Sequence, residues 1–271
     1  MARRSWWASL LAAALLPALP MAAGAVEIVA HRGASYDAPE NTLPAIQLGF
    51  EQGADAVEID IYLTRDGRIV ALHDATTKRT AGVNRPVAEQ TLAELKKLDA
   101  GRWKGERWAG VEIPTLEEAL AAVPPGKRLV IEIKAGAEIL PELERVVEAS
   151  GKGEQTAVIG FSYPVIRAAQ KRLPDIPMYW LYGFSAGERL LNGRPSHEDL
   201  IRKAEEAGLA GLDVNYRGDF DREFVQKLER SGLKLWVYTV NDPAEAKRLA
   251  EMGVDAITTD RPALLRQHLE Q

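Results

Sequence analysis

The sequence contains no cysteine. That absence excludes a disulfide framework, a thiol nucleophile, a thiolate metal site and a lipid-modified cysteine anchor, so stability must come from burying a core. Histidine is scarce: four in 271 residues, with no His-x-x-x-His pair, which disfavours zinc. No Gly-x-Ser-x-Gly elbow is present, so a covalent serine mechanism has no support either. A surplus of positive charge is also missing. Thirty-four Lys and Arg stand against 39 Asp and Glu, a net charge of −5, which argues against a nucleic-acid surface. An anionic substrate would therefore need a local positive site, such as a metal ion.

Long apolar runs are confined to the N-terminus. Arg3 and Arg4 precede "WWASLLAAALLPALPMA", and Ala23-Gly24-Ala25 has the small-residue form of a cleavage site. Residues 1–25 are thus expected to be a cleaved signal peptide. Pro17 and Pro20 and the small-residue exit argue against a membrane anchor, so no stable anchor is expected after cleavage. The mature chain is expected to be exported, periplasmic or secreted, with the arginine pair leaving the Sec and twin-arginine routes both open. Removing Arg3 and Arg4 leaves 32 basic residues against 39 acidic, a net charge of −7.

From Val26 onward, short β-rich runs alternate with amphipathic segments. Eight strands are predicted, at 26–30, 56–63, 128–133, 156–161, 178–182, 210–215, 233–240 and 255–259. Between them lie helical patterns such as "LPELERVVEASG" and "DPAEAKRLAEMG", several opening near Pro and closing at Gly. Alternation of this kind implies a parallel sheet, because parallel neighbours need a crossover. Eight units in the residues after 25 fit an α/β fold of the (β/α)8 TIM-barrel type, whose usual length is about 250 residues. A doubly wound sheet is the alternative, but "AHRGAS" after the first strand is not a Gly-rich phosphate loop. Asp66-Gly67 predicts a tight turn, making 56–73 a hairpin that extends the second strand. The polar stretch 75–114, with one short helix at "TLAELKKLDAG", reads as a small insertion, and Thr115 with Glu118 restarts a helix with capping-box spacing.

In such a barrel, reactive groups belong at the C-terminal ends of strands. His31 ends the first strand, and His73 with Asp74 ends the return strand of the hairpin. Glu58 and Asp60 are two apart on the second strand and so share a face, while Glu132 and Lys134 do the same at the end of the third. A single Glu-x-Asp in a strand usually pairs with a cation across the barrel. Three carboxylates in apolar strands would instead repel one another unless a cation sat between them. A hard divalent ion, Mg²⁺ or Ca²⁺, suits all-oxygen ligation by Glu58, Asp60 and Glu132. Two imidazoles, that ion, Arg32 and Lys134 form a set suited to phosphodiester chemistry. One His removes a proton from the nucleophile and the other protonates the leaving oxygen.

These residues fall within an ordered series: "AHRG" 30–33, "PENT" 39–42, "GADAVEIDIYLTRDG" 53–67, "VALHD" 70–74, "IPTLEEAL" 113–120, "IEIK" 131–134, "VYTVND" 237–242 and "GVDAITTDRP" 253–262. The series resembles the glycerophosphodiester phosphodiesterases over nearly all of the chain after Val26. The resemblance implies a TIM-barrel hydrolase that releases sn-glycerol 3-phosphate and an alcohol from a small-molecule glycerophosphodiester. It also implies an acid–base pair at His31 and His73, one divalent cation at Glu58, Asp60 and Glu132, and phosphate contacts at Arg32 and Lys134. In that family a substrate hydroxyl attacks first and water then opens a cyclic phosphate. Glu40 is expected to support the site, and Asn41, Phe161, Trp236 and Asn241 to shape the pocket, with Trp236 touching substrate. His197 and His268, on helices among charged neighbours, are expected at the solvated surface.

Two alternatives stand beside this reading. A lysophospholipase D or sphingomyelinase D-like enzyme uses a similar His pair and metal but takes lipid substrates. An exported glycerophosphodiester-binding protein would keep the site without turnover, against which the intact His pair argues.

Overall fold

The computed structural model describes residues 26–184 and 195–270. The expected leader, residues 1–25, lies outside the described residues. The chain runs β1 (Glu27–Ala30), α1 (Leu43–Glu51), β2 (Ala56–Leu63), β3 (Ile69–Ala71), α2 (Lys78–Ala81), α3 (Leu92–Leu95) and α4 (Leu116–Ala121). It continues with β4 (Arg128–Ile133), α5 (Leu140–Ser150), β5 (Thr156–Gly160), α6 (Tyr163–Arg172), β6 (Met178–Tyr182), α7 (His197–Ala207) and β7 (Gly211–Asn215). Last come α8 (Arg222–Arg230), β8 (Lys234–Tyr238), α9 (Pro243–Met252), β9 (Ala256–Thr259) and α10 (Pro262–Leu269).

Eight parallel strands pair in the order β1-β9-β8-β7-β6-β5-β4-β2, and β1 pairs back onto β2 through Val29–Ala56 and Ala30–Val57. The sheet is therefore a closed (β/α)8 barrel with no free edge among these strands, and the doubly wound alternative is excluded. β3 is a ninth strand, antiparallel to β2 through the Asp66-Gly67 turn, and pairs with the part of β2 that projects beyond the end of β1.

Alternation along each strand sorts side chains onto two surfaces. Ile28, Val57, Ile59, Ile131, Val158, Leu212, Val237 and Ile257 face outward and pack beneath the helices. Val29, Ala56, Val130, Ala157, Tyr179, Trp236 and Ala256 form a separate inner cluster. Within it the Tyr179 and Trp236 rings stack with centroids 3.9 Å apart. Because Ala56 faces inward, Glu58 and Asp60, two and four residues later, face inward as well. Apolar packing closes the barrel's N-terminal end, and these acids stand above it.

Helix starts follow local chemistry. Thr115 accepts a hydrogen bond from the Glu118 N–H at 3.2 Å, and the Glu118 carboxylate accepts from the Thr115 N–H at 2.8 Å. This is the expected capping box, of a kind worth about 1 kcal/mol. The expected helix at 91–101 is shorter than its pattern, with only α3 forming. Beyond that helix Asp99 fixes a turn: its carboxylate accepts from the N–H groups of Gly101, Arg102 and Gly110. The insertion packs Val87, Leu95, Ala100 and Ile113 against Val70 and Leu72 on the return arm of the hairpin, in a small core of its own. It docks on the loop after β1, where Lys104 Nζ donates to the Ser35 carbonyl at 2.6 Å and Arg107 to that of Asp37 at 2.9 Å.

Gly33 makes that loop possible. It has φ +82°, and a Cβ there would lie 2.4 Å from the backbone of Ala45 in α1. Gly33→Ala should therefore destabilise the fold by more than about 1 kcal/mol. A denaturant melt with an unchanged midpoint would contradict this close approach.

Candidate active site

The strand ends enclose a cavity of about 210 Å³, lined in part by His31, Arg32, Glu58, His73, Glu132 and Lys134. Six of the expected site residues thus come together from β1, β2, the segment after β3, and β4. Asp60 belongs to the same group. Glu58, Asp60 and Glu132 each offer an oxygen within 4.8 Å of the other two, and all three are buried.

Specific neighbours hold the acids. Glu58 Oε2 accepts from the Arg32 backbone N–H at 2.8 Å. Asp60 Oδ2 accepts from Asn41 Nδ2 at 2.8 Å, while the Asp60 N–H donates to Asn41 Oδ1 at 3.0 Å. Lys134 Nζ donates to Glu132 at 2.8 Å and lies 3.5 Å from Asp60. Arg32 Nε is 3.3 Å from Asp60 Oδ2, close enough for an ion pair but not aligned for a hydrogen bond. Arg32 and Asn41 both adopt left-handed backbone, φ 57° and 56°. For Arg32 this costs on the order of 1 kcal/mol and aims its N–H at Glu58.

Two oxygens, Glu58 Oε1 and Asp60 Oδ1, are buried with no hydrogen-bond partner. Burial, followed by the charges of Asp60 and Glu132, pushes the Glu58 carboxyl well above its ordinary range. Burial and then Asp60 push Glu132 up to about 7, against the pull of Lys134. The protein alone does not balance this much negative charge. A hard divalent cation fits the donor set: it would take up the orphaned oxygens and let all three acids ionise together.

Each imidazole is oriented by a carboxylate. His31 Nδ1 is 2.7 Å from Asp260, which also accepts from Ser35 and Asn241. His73 Nδ1 is 2.7 Å from Asp74, which Arg79 holds in turn. Burial opposes ionisation of Asp260, but the hydrogen bonds from His31, Asn241 and Ser35 bring it down to about 2. The Arg79 hydrogen bond, with that of His73 behind it, brings Asp74 down to about 2 despite burial. An ionised carboxylate only accepts, so each Nδ1 carries a proton and each Nε2 is left for other partners. Burial, with help from Arg32 and Lys134, lowers the His73 pKa against Asp60 and Asp74.

Several expectations need correction. Trp236 does not line the cavity; it is buried in the inner cluster against Tyr179, and Arg128, at the start of β4, lies 6.0 Å from its ring. Tyr238, two residues on, lines the cavity in its place, with Phe161 edge-on to it at 6.0 Å. Asn41 and Asn241 contribute through Asp60 and Asp260. Glu40 is clamped by Arg32 at 3.0 Å and by Arg79 at 2.8 and 2.7 Å, a brace outside the acidic group. His197 is no freely solvated side chain: its Nε2 lies 2.7 Å from the Asp219 carbonyl and its ring stacks on Phe224 at 4.2 Å. His268 is exposed, as expected.

Asp260, Arg79 and Asp213 went unassigned in the sequence. Asp213 carries the signal that exposed Glu58 and Glu132, a carboxylate inside an apolar strand, "GLDVN". Asp260 and Arg79 show no such pattern, because their partners are 229 and five residues away.

Comparison with known proteins agrees with this geometry. Residues 31–264 match the glycerophosphoryl diester phosphodiesterase family. A glycerophosphodiester phosphodiesterase of Caldanaerobacter subterraneus is 35% identical over 243 residues, covering 88% of this chain and 95% of that one. A human lysophospholipase D is 25% identical over 270 residues, covering 89% and 85%. The solved structure of an Oleispira antarctica phosphodiesterase with its product sn-glycerol-3-phosphate superposes with TM-score 0.80 at 29% identity, over 90% of this chain and 97% of that one.

If the acids repel in the absence of a cation, Mg²⁺ or Ca²⁺ should stabilise the protein by about 2.7 kcal/mol at 100-fold excess over Kd. Glu58→Gln should unfold at the same or a higher temperature than wild type without the ion, and should lose most of that gain. Thermal melts with and without each ion test this, and an ion-induced shift retained in Glu58→Gln would count against the site.

Proposed function

Because the chain belongs to the glycerophosphoryl diester phosphodiesterase family, we propose that it is an enzyme hydrolysing glycerophosphodiesters to sn-glycerol 3-phosphate and an alcohol, with one divalent cation and His31 and His73 as its acid–base pair. The observation that carries this reading is one cavity joining two carboxylate-oriented imidazoles, three clustered acids and two cationic side chains.

Bound by Glu58, Asp60 and Glu132, Mg²⁺ or Ca²⁺ would neutralise phosphoryl oxygens as charge develops on them. Arg32 and Lys134 add fixed positive charge on the same wall and orient the phosphate. His73, whose proton affinity burial lowers, is suited to accept a proton from the attacking hydroxyl at Nε2. His31, held by Asp260, is suited to donate a proton at Nε2 to the departing alkoxide. If a substrate hydroxyl attacks first, the same rings exchange duties when water opens the cyclic phosphate.

Kinship to a human lysophospholipase D keeps lipid substrates as a second reading. Phosphorus NMR separates the two: glycerophosphocholine should yield glycerol 3-phosphate, whereas turnover of lysolipids alone, or a cyclic phosphate that persists, favours the rival. The leader-like features of residues 1–25 support export as the setting for this activity.

His31→Ala and His73→Ala should each lower turnover of glycerophosphocholine at least about 100-fold, with melting curves like wild type. Near-normal rates in either variant would remove that ring from the mechanism. Excess chelator should likewise abolish activity, and added Mg²⁺ or Ca²⁺ should restore it.

A further inference from the structure

Asp213 has no part in the chemistry described so far, yet its position is costly. It is 1% exposed, its Oδ1 has no hydrogen-bond partner, and no ion pair to it is found among the described residues. Burial, and then the charge of Glu132, pushes its carboxyl well above the ordinary range. A buried carboxyl left this way destabilises the fold, and neither a cap nor a salt bridge compensates for it. Such a residue is expected where a ligand completes its hydrogen bonding.

Its place in the barrel indicates which ligand. In the closed order β1-β9-β8-β7-β6-β5-β4-β2, strand β7 lies four steps from β2 in either direction, diametrically across the barrel from Glu58 and Asp60. Asp213 is in register with Leu181 on one side and Trp236 on the other. Asp213 and Leu181 line the cavity, whereas Trp236 belongs to the inner apolar cluster. The groups suited to phosphate, His31, Arg32, His73 and Lys134, are carried by the β1-to-β4 side. A carboxyl on the opposite wall repels phosphate when ionised, and in either protonation state it accepts a hydrogen bond from a hydroxyl.

We propose that Asp213 forms a subsite for the terminal glycerol hydroxyl of the substrate, the one not adjacent to the phosphodiester, on the wall opposite the phosphate. The proposal rests on the hydrolytic reading above and deepens it. Among glycerophosphodiesters the glycerol is shared and the alcohol varies, so recognition of the glycerol by the enclosed wall leaves the variable group to the open mouth. Asp213 is a specificity residue in this account and moves no proton.

Calorimetric titration with two phosphate monoesters tests it: sn-glycerol 3-phosphate, and n-propyl phosphate, which has the same chain length and no hydroxyl. Wild type should prefer the glycerol ester by about 5- to 100-fold, the range spanned by hydrogen bonds to neutral and to charged groups. Asp213→Ala, or Asp213→Leu should the alanine variant not fold, should bring the ratio within about threefold while propyl phosphate binding stays within about threefold of wild type. Asp213→Asn keeps an acceptor oxygen and should show an intermediate ratio. A wild-type ratio near one, a ratio unchanged in the truncated variant, or equal loss for both esters would overturn the subsite. Glycerophosphocholine turnover by wild type is measured separately. Its absence alongside the expected ratios would sink the hydrolytic reading and leave the subsite standing.

Discussion

Mutual repulsion among buried carboxylates is the constraint from which the rest of this structure follows. Glu58, Asp60 and Glu132 approach within 4.8 Å inside a closed sheet, where water is largely excluded and unlike charges are few. Such a group costs several kcal/mol unless each acid is hydrogen-bonded and the net charge is offset. Lys134, Arg32 and Asn41 provide part of that compensation through short, directed contacts. The remainder is a deficit of positive charge at one point, which a divalent cation held by the three acids would offset.

The same economy extends outward. Neither imidazole hangs freely in the cavity, because Asp260 and Asp74 fix the Nδ1 sides and are themselves held by Asn241, Ser35 and Arg79. Arg79 also grips Glu40, which grips Arg32, so one chain of charge-assisted bonds ties His73 to the residue whose backbone supports Glu58. In the proposed mechanism such preorganisation would matter, because groups already held in place need not reorganise during a reaction. Fold and function are divided along the barrel axis. The N-terminal end is closed by stacked Tyr179 and Trp236 within an apolar cluster, and this packing underlies the strained, charge-rich end above it.

Much of the barrel was legible in the sequence, since strands and helices are written in local periodicities of two and 3.6 residues. β2, β4 and β6 occupy the ranges their apolar runs predict. The acid group was legible for a related reason: a carboxylate in a strand of Val and Ile is conspicuous, and strand alternation points Glu58 and Asp60 to one face. Trp236 shows the limit of that logic. Alternation correctly turns it inward, but whether an inward residue reaches the cavity or the apolar layer beneath depends on strand tilt and register, which no single strand encodes. The 91–101 pattern forms helix only over α3, and beyond it Asp99 captures three backbone N–H groups, one of them 11 residues away, a contact invisible to helical periodicity.

The sequence by itself determined the α/β alternation, the inward faces of the strands, that three acids and two histidines stand at one end of the barrel and, through its ordered motifs, the family. Only the tertiary structure decided the partners: Asp260 for His31 across 229 residues, Asn41 for Asp60, Arg79 for both Asp74 and Glu40, and Asp213 facing β2 across the barrel. The physical reason is range. Periodicity and propensity act between neighbours along the chain, whereas hydrogen bonding and charge act through space, and closing the barrel is what makes distant residues neighbours.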